Sequence, residues 1–64
     1  MNKEEFKQVV IGKTIEQANK LSPQFKVRVV SDGSSQFLLT MDYDENRLNV
    51  GIRNNKIVSA KNFG

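Results

Sequence analysis

Sixty-four residues make one small domain, whose core can bury only a modest share of the chain. At 38% hydrophobic and 27% charged, without low-complexity stretches or internal repeats, the composition is globular rather than disordered. The absence of cysteine excludes disulfides, zinc-thiolate sites and thiol nucleophiles, and the net charge of +3 is spread from Lys3 to Lys61 with no run of adjacent cations.

The segment Met1-Asn2-Lys3-Glu4-Glu5 lacks the apolar core of a signal peptide, and no stretch reaches membrane-spanning length. With no cysteine to oxidise, a cytoplasmic location is expected, export being left open. Residues 1–8 read as a flexible arm that leads into the apolar run Val9-Val10-Ile11. Gly12-Lys13 then turns into a helix, for which Thr14 is a good N-cap and Gln17 completes a Thr-x-x-Gln capping box. Ile15, Ala18 and Leu21 (or Ser22) fall near one face, and Glu16 with Lys20 makes an i,i+4 pair on another. The helix lasts about two turns, because Ser22 precedes Pro23 and the residue before proline avoids helical geometry.

Phe25-Lys26-Val27-Arg28-Val29 alternates apolar and cationic residues, the period-2 signature of a half-buried strand. Asp32-Gly33-Ser34-Ser35 reads as a flexible turn that opens a long segment. Leu48, Val50 and Ile52 alternate with Arg47, Asn49, Gly51 and Arg53 in a second strand. Asn54-Asn55 is a hairpin turn, and a third strand runs through Ile57 towards Ala60. Phe25, Val27, Val29, Leu48, Val50, Ile52 and Ile57 are the expected core. Roughly fifteen residues separate the first two strands, which suits a parallel pair joined by a wide loop, and a loop of that length is usually functional or disordered.

Several motifs resemble chemistry without completing it. Asp42-x-Asp44-x-Asn46 has the 1, 3, 5 spacing of a calcium loop, but Arg47 and Arg53 stand where glycine and a bidentate glutamate belong. Gly12-Lys13-Thr14 ends like a P-loop, yet Lys7 occupies the position of its first glycine. No histidine is present, the five serines have no evident activating partner, and paired carboxylates occur only in 42–45. An enzyme is not expected. Nor do the five aromatics interleave with cations as a nucleic-acid stacking platform requires.

Thr40-Met41-Asp42-Tyr43-Asp44-Glu45-Asn46-Arg47-Leu48-Asn49-Val50 resembles the protease-binding loop and following strand of the potato inhibitor I family of serine protease inhibitors. The likeness is greatest to its bacterial and fungal elastase-inhibitor relatives, which carry Thr-Met-(Asp/Glu)-Tyr and continue Arg-Leu-Asn-Val. It extends over nearly the whole chain. Glu5-Phe6 resembles the Glu-Trp of the plant family, Val10-Ile11-Gly12-Lys13-Thr14-Ile15-Glu16-Gln17-Ala18 is similar to Leu-Val-Gly-Lys-Ser-Val-Glu-Glu-Ala, and the sequence ends in Gly64.

The resemblance implies an α+β fold: one short helix packed on a small mixed sheet, with a long exposed loop (33–46) between two parallel strands. It implies that the bond between Met41 and Asp42 is offered to the protease. Leu38, Leu39 and Thr40 would lie in the substrate groove, with Tyr43 and Asp44 on the leaving-group side. Met41, long and apolar, would suit the pocket of a subtilisin-, chymotrypsin- or elastase-like enzyme better than a trypsin-like one. Arg47, Asn49 and Gly64 would support the loop, with Arg47 paired to Asp42 or Thr40.

The implied partner is a serine protease of those types, with no cofactor, metal or membrane, and the protein is expected to be a monomer. The sequence also departs from the family. Asn49 stands where plant inhibitors have a second arginine, Asp44 replaces a common arginine and Asn46 a common aspartate, so the loop is expected to gain negative charge and lose cationic support. Two other readings remain: a non-inhibitory interaction module on the same fold, and a weak basic nucleic-acid binder.

Overall fold

The computed structural model describes residues 1–36 and 42–64. Helix α1 spans Lys3–Val9 and helix α2 spans Ile15–Leu21. They pack on a four-stranded sheet made of β1 (Lys26–Asp32), β2 (Ser35–Gln36), β3 (Arg47–Arg53) and β4 (Lys56–Phe63), in the order β2-β1-β3-β4. β1 and β3 are parallel and the other neighbours antiparallel, so the sheet is mixed and the fold is α+β.

The expected arm at 1–8 is instead mostly helix. Asn2 caps it: its Oδ1 accepts from the Glu5 amide at 2.8 Å while Glu5 Oε1 accepts from the Asn2 amide at 3.4 Å, a reciprocal capping box. Phe6 and Val10 lie four residues apart and so share one face, and both are fully buried. Of the run Val9-Val10-Ile11 only Val10 enters the core. The second helix follows its capping box as expected, with Thr14 Oγ1 accepting from the Gln17 amide at 3.2 Å and Ser22 leaving helical geometry before Pro23. The Glu16–Lys20 pair forms at 3.3 Å. Between the helices, Gly12 adopts φ +85°, and the 12–13 link joins the β4 edge through Gly12 N–H to Ile57 O and Ile57 N–H to Lys13 O, both 2.8 Å.

β1 runs past Val29 to Asp32, because residues 32–35 form a tight β1–β2 hairpin rather than a flexible turn, with Gly33 at φ +62°. Asn54 and Asn55 both take positive φ, 54° and 66°, the type I′ geometry that matches strand twist in a two-residue hairpin. β4 continues beyond Ala60 to Phe63, with two register shifts against β3 that break its alternation.

The core lies between the helices and one sheet face. Phe25, Leu48, Val50 and Ile57 are buried as expected, while Val27, Val29 and Ile52 are partly buried at its margin. Phe6, Phe25 and Phe63 form a three-ring cluster with centroids 5.0, 5.5 and 6.4 Å apart. The opposite sheet face carries Arg28, Arg47, Asn49 and Gly51, and it leads to the candidate site.

Candidate functional site

Arg47 opens β3, so its side chain stands at the end of the sheet where segment 42–46 arrives. Its Nη1 donates to Asp42 Oδ2 at 3.1 Å and its Nη2 to the Asp42 carbonyl at 3.1 Å. The same guanidinium reaches the Gly64 carbonyl through Nε and Nη2, both at 3.3 Å, and the Gly64 amide donates to the Arg47 carbonyl at 2.9 Å. Its side chain is only 14% exposed although Asp42 is open to solvent, so the cation is held from below and presents its fork upward.

The Gly64 carbonyl is the hub of the cluster. Asn49 Nδ2 donates to it at 3.2 Å and Arg28 Nη2 at 3.4 Å, while Arg28 Nε donates to Asn49 Oδ1 at 3.0 Å. Arg28 of β1 and Asn49 of β3 are register partners, which the parallel pairing makes neighbours. Asn49 is buried, at 5% exposure, with both its side-chain nitrogen and its side-chain oxygen hydrogen-bonded.

The loss of cationic support expected from Asn49 is thus corrected. A guanidinium does reach the hub, from the adjacent strand rather than from β3. No signal within the sequence segment 42–50 could have revealed Arg28, because the parallel register alone brings it there.

Asp44 is likewise tied down. Its Oδ1 accepts from the Asn46 amide at 3.0 Å, its Oδ2 pairs with Lys26 at 3.2 Å, and its carbonyl accepts from the Arg47 amide at 3.1 Å. The negative charge expected to loosen the loop is met by a β1 lysine. Both carboxyls are held below the usual 3.8. For Asp42 the chief cause is the Arg47 hydrogen bond, and for Asp44 it is the Asn46 amide, followed by Lys26. Tyr43 is 75% exposed, and its ring edge lies so close to Gly64 that an added Cβ there would come within 3.3 Å. With φ at +147°, Gly64 suits glycine on both counts.

Of the residues singled out in the sequence, Asp42, Tyr43, Asp44, Arg47, Asn49 and Gly64 are brought together here. Leu38, Leu39, Thr40 and Met41 lie outside the described residues. Among the described residues no group of three or more acidic, His or Cys side chains is arranged to hold a metal. Among the same residues no helix is long and apolar enough to cross a membrane. Chemically, the arrangement fixes a backbone segment: three side chains from two strands converge on one carbonyl, and one of them also grips the residue at 42. Comparison of the chain with models of protein families, with curated proteins and with solved structures yields no match.

Proposed function

We propose that the protein is a serine protease inhibitor of the potato inhibitor I type, and that it docks like a substrate with the bond between Met41 and Asp42 in the enzyme's active site. The observation that carries this reading is the double grip of Arg47 on Asp42, anchored in turn on Gly64. A substrate-like loop inhibits only if it is stiff before docking, so that little entropy is lost on binding and the cleaved ends stay aligned for religation. In a chain without cysteine, that stiffness has to come from side chains. A guanidinium fork that fixes both the carboxylate and the carbonyl of the residue just after the scissile bond supplies it on the leaving-group side.

Stoichiometric titration of subtilisin, chymotrypsin and elastase tests the proposal. Activity should fall to near zero at one equivalent for at least one of them. Met41→Lys should weaken that inhibition and gain trypsin, whose specificity pocket carries a carboxylate. Rapid cleavage between 41 and 42 without inhibition would show a substrate on too soft a support. The absence of both inhibition and cleavage would count against these broad targets and favour an interaction module.

A further inference from the structure

A second cluster lies on the same sheet face, roughly 13 Å further along β3 from Arg47, four residues at strand rise. At its centre is Gly51, an interior position of a central strand. Glycine there weakens a strand and commonly marks a bulge or a place where something must approach the backbone closely. Here an added Cβ would lie 2.6 Å from Ser59 Oγ and 2.7 Å from Ser31 Oγ, so the missing side chain lets two hydroxyls converge over the Gly51 backbone. The stem of Lys61 runs alongside, with Cε at 3.7 Å from the same point. Arg53 stands two residues on in β3. Together with Ile52 and Val58 these residues line an open hollow of about 270 Å³.

Both hydroxyls reach this place through irregularities in strand pairing. β1 pairs Val29 with Val50 and Ser31 with Gly51, so Val30 is an extra residue. β4 pairs Ile57 with Ile52 and Ser59 with Gly51, so Val58 is extra. In regular strands Ser31 would share the face of Val29, and Ser59 that of Ile57, both towards the core. Each bulge instead re-aims a serine to the open face, and bulges that do so recur beside functional sites. Two bulges on the two strands flanking one glycine are more than packing of that glycine requires.

The charge points to the ligand. Arg53 and Lys61 make no ion pair among the described residues, and no carboxylate lines the hollow. Asp32 pairs with Ile52, on the alternate face from Ser31. We propose that the hollow is a binding site for a tetrahedral oxyanion, a phosphate or sulfate group. The Ser31 and Ser59 hydroxyls would donate to its oxygens, and the Arg53 guanidinium and Lys61 ammonium would balance its charge. The volume falls below the ~300–1,000 Å³ of pockets that enclose drug-sized molecules, which suits a small anionic group. The site is separate from the protease-binding reading, and its test does not depend on inhibition.

The test is a titration of the ¹⁵N-labelled chain with sodium phosphate, against sodium chloride of matched ionic strength. Saturating amide shifts centred on Ser31, Gly51, Ser59 and Lys61 are expected, with a dissociation constant on the order of 1 mM. The double variant Arg53→Gln/Lys61→Gln changes only exposed side chains, and it should weaken binding at least about tenfold while leaving the remaining spectrum in place. Gly51→Ala, whose methyl would push both serine hydroxyls apart, should abolish saturation, and Ser59→Ala should weaken it should the alanine variant at 51 fail to fold. Phenyl phosphate distinguishes the source: equal binding assigns the site to a phosphate carried on a larger molecule, and weaker binding to the free ion. Linear shifts that follow chloride, or saturation that the double charge variant leaves unchanged, would overturn the proposal.

Discussion

Arg47 holds Asp42 at two points, its side-chain carboxylate and its backbone carbonyl, each at 3.1 Å. One planar group thereby fixes both the rotamer and the peptide plane of a residue that is otherwise open to solvent. Because the same guanidinium is braced on Gly64 from below, the grip is attached to the sheet and not to another part of the loop.

A lysine at this position keeps the charge but lacks the fork. For a chain that inhibits as proposed, Arg47→Lys is therefore expected to weaken inhibition by about tenfold and Arg47→Ala by about a hundredfold, with cleavage between 41 and 42 accelerating in the same order. Inhibition constants and cleavage rates measured side by side check this. Three equal inhibition constants would remove Arg47 from the support of the loop.

Arg28 supplies the second guanidinium at the hub, through Asn49 and Gly64. Replacing it by glutamine keeps much of the stem but loses the charge, so, for a chain that inhibits as proposed, Arg28→Gln should weaken inhibition by roughly three- to tenfold, less than Arg47→Ala because Arg47 grips both the carboxylate and the carbonyl of Asp42 while Arg28 braces Asn49 and Gly64. Asn49→Arg, which introduces the arginine that plant inhibitors carry in the resembling segment, should not add to any inhibition while Arg28 is present, since two guanidinium groups would then compete for one carbonyl. A gain in the Asn49→Arg variant would show that the cross-strand arginine is not an equivalent support.

How far the fold could be read from the sequence depended on whether its signals were local. The Thr14 capping box, the Pro23 stop and the paired asparagines at 54 and 55 each act within four residues, and each is found as expected. The pairing of Arg47 spans five residues and is implied by the family resemblance, with Asp42 or Thr40 as the partner, and the contact to Asp42 is present at 3.1 Å. The first helix had a comparable signal in Asn2 and Glu5, with Phe6 and Val10 spaced i,i+4, but its polar surface reads as an arm unless the core that receives Phe6 is known. The far end of β4 was hidden because bulges destroy the alternation that identifies a strand. Arg28 looked like the solvent-facing half of an alternating strand. Its role arises from register between parallel strands 21 residues apart, which no local pattern encodes.

The first helix gives a prediction about stability. Phe6 is fully buried against Phe25 and Phe63, so Phe6→Ala removes one ring of the three-ring cluster and the largest buried side chain of the first helix. Such truncations cost about 3–5 kcal/mol, most of what a domain this small has in reserve. The variant should melt tens of degrees lower or be unfolded at room temperature, as a flexible arm would not. Thermal denaturation followed by circular dichroism decides between the two, and a shift of only a few degrees would mean that the helix is dispensable.

The carboxyls of segment 42–46 predict an acid-side pH dependence. Asp42 is depressed chiefly by the Arg47 hydrogen bond and Asp44 chiefly by the Asn46 amide, so in the folded chain both ionise below 3.8. Near that pH the unfolded chain binds more protons than the folded one, and stability therefore rises with pH. Their contribution is complete above the unfolded value, by about pH 5, and is lost as pH falls through the folded values. Comparing melting temperatures of the wild type with Asp42→Asn and Asp44→Asn at about pH 7, 4 and 2.5 isolates the effect. The wild type should melt higher at pH 7, and the gap should narrow towards about pH 2.5, below the unfolded value, as its own carboxyls take up protons. A gap that stays constant down to that pH would mean that the variants disturb packing or neutral hydrogen bonds, and that the charges of Asp42 and Asp44 do not hold the segment in place.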